Sequence, residues 1–176
     1  IACSLSLLVG GGMPGTAQAV ADPDHVNFTL EGCNLDHGAG FDPVTLLCTD
    51  DGYTTGNLGK SWAELDLVPH RMTLENNGPT QTYAFIVAGD YRAKAGDSFV
   101  GGDVITNIVL NTGLSVSVCP EVDLDPTDTS YITPSGSGSG GADQTIYRVV
   151  TVTQAANTTC VYDYTQRLAV GAHDFT

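Results

Sequence analysis

The sequence predicts an all-β protein: a single β-sandwich of about nine strands, immunoglobulin-like or jelly-roll-like, preceded by an N-terminal arm. Three observations lead there. Helix-surface residues are scarce: charged residues make up only 15% of the chain, Lys occurs only at Lys60 and Lys94, and Glu occurs four times. Apolar residues alternate with polar ones in short runs, which is the period of a half-buried strand. Turn-forming clusters separate those runs at the spacing of a sandwich or barrel, in a chain with 21 Gly and 8 Pro. At 176 residues the chain is long enough for one domain with a real core and too short to expect two. Residues 20–176 are therefore read as the sandwich and residues 1–19 as a separate segment.

The strands are expected in order as follows. Residues 25–33 alternate, with Val26, Phe28 and Leu30 on one face. Residues 44–48 form a short apolar run, and residues 61–68 place Ala63, Leu65 and Leu67 opposite Trp62. In residues 70–75, Met72 and Leu74 oppose Arg71, Thr73 and Glu75. Residues 80–89, "TQTYAFIVAG", are apolar on both faces and read as a central strand. Residues 103–110, 114–119, 144–153 and 158–170 complete the set. "NNGPT" (76–80) and "NTG" (111–113) have hairpin chemistry. A short helix is expected near "YRAKAG" (91–96), and "SGSGSGG" lies in a long surface loop over 123–143.

The five cysteines are Cys3, Cys33, Cys48, Cys119 and Cys160. No Cys-x-x-Cys spacing occurs, so zinc-ribbon and thioredoxin-like chemistry is not expected. Four scattered cysteines on a β-rich chain with an export-like start read as two disulfides in an oxidising compartment. The local pairing, Cys33–Cys48 with Cys119–Cys160, is preferred among the three available, and each closure contributes roughly 3 to 4 kcal/mol. The competing reading is four buried thiols.

Cys3 belongs to the opening stretch, "IACSLSLLVGGGMPGTAQAVADPD". "TAQA" is a small-x-small site of the kind signal peptidase cuts, here after Ala19. The apolar run is shorter than the ~20 residues needed to span a bilayer. It also alternates: Cys3, Leu5, Leu7 and Val9 on one side, Ser4 and Ser6 on the other. Two readings stand. The segment is a signal-peptide remnant, or it is a strand donated to a neighbouring subunit, with Leu5 and Leu7 entering that subunit's core. In the second reading Gly10 to Gly12, Pro14 and Gly15 form the hinge, and the odd Cys3 lies at the contact.

The net charge is −14, from 20 acidic residues against 6 basic ones. So acidic a surface disfavours nucleic acid and anionic lipid as partners and favours cations. The best metal candidate is Asp123, Asp125 and Asp128 in "EVDLDPTD", hard oxygen donors suited to calcium. Asp50 and Asp51 are a second candidate. Neither has an EF-hand pattern, and solvated Asp-rich turns are the simpler reading of both. The two G-x-G-x-x-G matches, at 10–15 and 136–141, lack the strand-turn-helix setting of a dinucleotide site. No G-x-S-x-G elbow occurs, and His25, His37, His70 and His173 have no metal-ligand spacing. No carboxylate pair stands out for glycoside hydrolysis. Sequons at Asn27 and Asn157 are expected on strands, and such short matches are common by chance.

The closing stretch, "GADQTIYRVVTVTQAANTTCVYDYTQRLAVGAH", with "TYAFIVAGDY" and "GGDVITNIVLN", resembles domains of large bacterial extracellular surface proteins with immunoglobulin-like or prealbumin-like sandwiches. That resemblance implies surface display and carries over no site residues. The chain ends at "GAHDFT" without a sorting signal, so the full gene product is expected to be longer. The leading expectation is a non-enzymatic, extracellular or cell-surface structural module, a filament or pilus-like subunit or an adhesin domain, that self-assembles by strand addition. The alternative is a secreted carbohydrate-binding module, presenting Trp62, Tyr53, Tyr83 and Tyr91 to a glycan.

Overall fold

The computed structural model describes residues 25–37, 40–92, 101–122, 131–134 and 144–172. These residues form ten strands: β1 (Val26–Cys33), β2 (Phe41–Asp42), β3 (Leu47–Cys48), β4 (Tyr53–Thr54), β5 (Leu67–Asn76), β6 (Gln81–Arg92), β7 (Gly102–Leu110), β8 (Tyr131–Pro134), β9 (Gln144–Gln154) and β10 (Thr158–Leu168). Short 3-10 turns occupy Leu35–His37 and Asp50–Gly52. A five-stranded antiparallel sheet runs β4-β1-β5-β10-β7, a three-stranded one runs β6-β9-β8, and β2 and β3 form a small hairpin. The protein is therefore all-β, with antiparallel sheets. The expected arm, residues 1–19, lies outside the described residues, as does most of the expected helix at 91–96.

Alternation accounts for the core. In β5 the even positions Val68, His70, Met72, Leu74 and Asn76 are all at most 3% exposed, while Glu75 on the other face is open to solvent. In β9 Ile146, Val150 and Val152 face inward, with Val149 outward. One apolar cluster joins Met72 and Leu74 of β5, Tyr83, Phe85 and Val87 of β6, Ile105 and Ile108 of β7, Ile146, Val150 and Val152 of β9, and Cys160, Tyr162 and Tyr164 of β10. It draws on both larger sheets, so their inner faces bury one another. Burial pushes the Tyr162 phenol up to about 12, and its hydroxyl donates to the Pro120 carbonyl at 2.9 Å.

The chain passes between the two sheets twice at one end. β5 leads through residues 77–80 into β6, and β9 leads through residues 155–157 into β10. The paired partners are crossed: β5 pairs with β10, and β6 with β9. Two parallel arches result, and each ends its first strand on a buried amide. Asn76 Nδ2 donates to the carbonyls of Pro79 (2.8 Å) in its own arch and Ala155 (2.9 Å) in the other. Asn76 Oδ1 accepts from Gly78 N (3.0 Å) and Gln81 Nε2 (2.9 Å). Gln154 Nε2 donates to Leu74 O (3.0 Å) and Thr158 O (2.8 Å), and the Tyr83 hydroxyl donates to Gln154 Oε1. Arch carbonyls that water cannot reach are thus satisfied by side chains. Asn157 takes the left-handed conformation (φ 52°) at the tip, which Asn tolerates better than most residues.

Several expected elements are corrected. Residues 61–68 and 70–75 are not two strands. Ser61–Asp66 forms a turn closed by Ala63 N donating to Asp66 Oδ2 at 2.7 Å, with Leu65 at φ 68°, and one strand begins at Leu67. Pro69 is admitted within β5 because it lies beyond the last β1 pair, Gly32 with His70. Residues 114–119 form no strand. The Asn111 carboxamide accepts from Gly113 N and Leu114 N to close a turn, and the Ser115 hydroxyl takes over the pairing with Val161 N and O. Only Leu47–Cys48 of the 44–48 run is strand, since Asp42 folds Val44 and Thr45 into a turn. "NNGPT" is an arch between sheets, not a hairpin, and "NTG" is that Asn111 turn. β8 lies inside the expected loop over 123–143. β6, expected as a central strand, pairs only with β9 among the described residues.

Replacing Gln154 with Leu strands the carbonyls of Leu74 and Thr158 and the Tyr83 hydroxyl, and should lower stability by about 2–4 kcal/mol. Thr82→Ala, which removes only an exposed cross-strand contact to Thr153, should cost less than about 1 kcal/mol. Urea unfolding of both variants checks the contrast, and equal losses would mean that the amide does not hold the arches.

His70 supplies a second expectation. It stacks on Tyr164 (5.0 Å between centroids), and its Nδ1 lies 2.9 Å from Val68 O. Its Nε2 has no partner among the described residues. Burial lowers its pKa to about 4, against a weaker opposite pull from the Val68 carbonyl. The folded pKa lies below the unfolded one, so His70 subtracts nothing above pH ~6.5 and destabilises progressively as pH falls toward 4. The loss attributable to it between pH 7 and pH 5 should be about 2 kcal/mol. His70→Gln should flatten the pH dependence of urea stability over that window by this amount, and an unchanged slope would contradict it.

Candidate functional site

The feature with the clearest functional geometry is the edge of β6 away from β9. β6 is twelve residues long and buried on both faces: Tyr83, Phe85 and Val87 lie in the core, and Ile86 and Ala88 on the opposite face are each 8% exposed. Such burial belongs to an internal strand, yet its second edge has no strand partner among the described residues. The arches join β5 to β6 and β9 to β10, and β1 lies on the side of β5 away from β10. Its core-side face carries Val26, Phe28 and Leu30. Val26 and Leu30 pack on the core, while Phe28 remains 49% exposed. β4 covers β1 only at Gly32 and Cys33, so the edge of β1 from Val26 to Glu31 is also unpaired among the described residues.

A second constellation sits on the outer face of the five-stranded sheet. Arg71 of β5 is 6% exposed. Its Nε donates to Asp163 Oδ1 of β10 at 2.8 Å, its Nη1 to Asp50 Oδ1 at 2.7 Å, and its guanidinium lies 4.1 Å from the Tyr53 ring centroid. Asn111 Nδ2 donates to Asp163 Oδ2 at 2.6 Å. Burial works against the Arg71 charge, but the bonds to Asp163 and Asp50 outweigh it and raise its pKa. Burial likewise raises the Tyr53 phenol. The β2–β3 hairpin folds over this face, held there by the Cys33–Cys48 link to β1. Between its turn (Thr45, Leu46, Leu47) and Thr106, Val109, Asp163 and Thr165 runs a groove of about 200 Å³. The Asp163 carboxylate in its wall is already engaged by Arg71 and Asn111.

Comparison with protein-family models, curated proteins and solved structures finds no match. The geometry alone bears on function.

The cysteines expected to pair lie at disulfide distance, with Cα–Cα 5.8 Å for Cys33–Cys48 and 5.6 Å for Cys119–Cys160. The first closes the hairpin over the outer face, and the second ties residues 111–119 to β10. Asp123, Asp125 and Asp128, and Cys3, Leu5 and Leu7, lie outside the described residues. Asp50 is bound to Arg71, and no group of three metal-ligating side chains occurs among the described residues. The four aromatics do not form a glycan platform. Tyr83 is 2% exposed and belongs to the core, Tyr53 is under the hairpin, and Trp62 donates its indole N–H to Cys33 O at 2.9 Å. Tyr91 packs separately against the main core. Asn157 occupies an exposed arch tip, not a strand, while Asn27 is exposed on β1. Alternation sets Arg71 opposite Met72 and Leu74, but it cannot show that a hairpin 20-odd residues upstream covers that face.

Asp163→Asn should destabilise by about 3 kcal/mol, because it leaves a buried guanidinium without its buried counter-charge. Asp50→Asn, at a carboxylate that is 77% exposed, should cost less than about 1 kcal/mol. Equilibrium denaturation of the two variants tests this, and equal costs would mean that Arg71 is not held chiefly by Asp163.

Proposed function

We propose that this chain is a non-enzymatic extracellular structural module, built as a single sandwich, that assembles by accepting an extended strand from a neighbouring copy. The carrying observation is β6, a strand buried on both faces whose one strand partner among the described residues is β9, with Phe28 of β1 uncovered in the other sheet. The donated strand is residues 1–9 of the next copy, whose alternation presents Leu5 and Leu7 on one face. Each Leu, fully covered, stabilises the contact by roughly 1.5 to 3 kcal/mol. Donor and acceptor are different surfaces, so the contact is head-to-tail and propagates.

Two further observations are compatible with the compartment. Two disulfides suit an oxidising environment, and no helix among the described residues is long and apolar enough to cross a membrane. The carbohydrate-binding alternative loses support because its aromatic set is dispersed and partly buried.

Deleting residues 1–12 should leave a folded monomer that forms no polymer by electron microscopy. Adding a synthetic peptide of residues 1–9 should raise its melting temperature by several degrees, since a ligand at a hundredfold excess over its Kd stabilises by about 2.7 kcal/mol. Polymers made by the deleted chain, or a peptide that leaves the melting temperature unchanged, would overturn the reading.

A further inference from the structure

The arch between β5 and β6 brings together the parts of a reaction. Asn77–Gly78, at its start, is the single Asn-Gly bond in the chain. At such a bond the glycine nitrogen can attack the side-chain carbonyl carbon of the asparagine, because no Cβ on the following residue stands in the way. An N–C bond forms, the bond from Cγ to Nδ2 breaks, and ammonia leaves, taking up the proton that the glycine nitrogen gives away. Water then opens the succinimide ring at one carbonyl or the other, leaving aspartate or isoaspartate. The only co-reactant is water. Asn77 is exposed, and its carboxamide makes no hydrogen bond among the described residues, so the carbon to be attacked is free and water reaches it.

The attacking nitrogen is not free. Gly78 N donates to Asn76 Oδ1 at 3.0 Å, and Asn77 N donates to His25 O at 2.9 Å. Attack requires the Gly78 nitrogen to lose its proton and to turn toward the side chain of Asn77. Asn76 opposes both, since it holds that proton in a hydrogen bond and fixes the direction of the peptide. Asn76 cannot follow the movement. It is 1% exposed, and its carboxamide is also held by Pro79 O, Ala155 O and Gln81 Nε2. Breaking a bond to an acceptor pinned in this way leaves buried polar groups unsatisfied. A reactive asparagine thus follows directly on the residue that silences it.

We propose that Asn77 is a self-modification site latched by Asn76: silent while the arch between β5 and β6 is closed, and converted to aspartate or isoaspartate through attack by the Gly78 nitrogen when the arch opens. The conversion runs one way, because ammonia is lost. Isoaspartate carries the main chain through the side-chain carbon and adds one carbon between the Cα of residue 77 and Gly78 N. The Gly78 N–H then no longer meets Asn76 Oδ1. An arch that has formed isoaspartate does not regain that hydrogen bond, so the modification records past opening. Neither the donated strand nor the compartment enters this chemistry.

The full chain is incubated in mildly alkaline buffer, either folded or unfolded in urea, and peptide mapping follows aspartate and isoaspartate at position 77. Conversion should be at least tenfold slower in the folded chain. Opening of the arch also frees the Gly78 N–H for exchange, so hydrogen exchange should show that amide protected by a factor comparable to the slowing. Asn76→Ala removes the latch and should speed conversion in the folded chain at least tenfold, while Thr82→Ala, outside the arch, should leave the rate unchanged. Should Asn76→Ala fail to fold, the match between conversion and Gly78 exchange in the original chain decides. Equal conversion in folded and unfolded chains, an unprotected Gly78 N–H, or a folded Asn76→Ala variant that converts as slowly as the original chain overturns the proposal.

Discussion

Where β5 turns over into β6 and β9 turns over into β10, backbone carbonyls are carried into the interior with no strand opposite them. Asn76 and Gln154 meet that requirement. Each is the last residue of its strand, each is 1% exposed, and each amide reaches across to the neighbouring arch. The consequence is global. The two amides hold the arches side by side, and the arches carry the chain between the two larger sheets. The apolar cluster fills the space between the two larger sheets that the arches join.

The far end of the molecule is governed by a close approach. Gln166 of β10 points between Gly89 of β6 and Gly102 of β7, where a Cβ at either glycine would overlap its carboxamide. The outer face follows another constraint. Arg71 can be buried only because Asp163, Asp50 and Tyr53 surround it, and those partners reach it because the Cys33–Cys48 bridge holds the hairpin down. That face is closed by polar contacts.

Much of the strand content was legible in the sequence because two-residue alternation is a local property. Residues 25–33, 70–75, 80–89, 103–110, 144–153 and 158–170 all lie in or largely overlap strands. What alternation could not show is which strand lies beside which. "NNGPT" has the residues of a hairpin turn, and only the amide of Asn76, satisfied from the other arch, makes it a crossing between sheets. "LSVSVC" alternates perfectly well, but the Asn111 carboxamide and the Ser115 hydroxyl compete for the backbone and win. The candidate site divides in the same way. The alternation in residues 1–9 is readable, whereas only the sheet order shows that β6 has β9 as its one strand partner among the described residues.

Amide hydrogen exchange along β6 in the dilute, full-length monomer tests this account most directly. An end strand hydrogen-bonded on one side only gives alternating protection: the N–H groups directed at β9 exchange slowly, and those directed away from it exchange orders of magnitude faster. On assembly the second set should become protected as well. Uniform protection of β6 in the monomer would contradict the account, because it would mean that the chain covers that edge itself and has none to offer a neighbour.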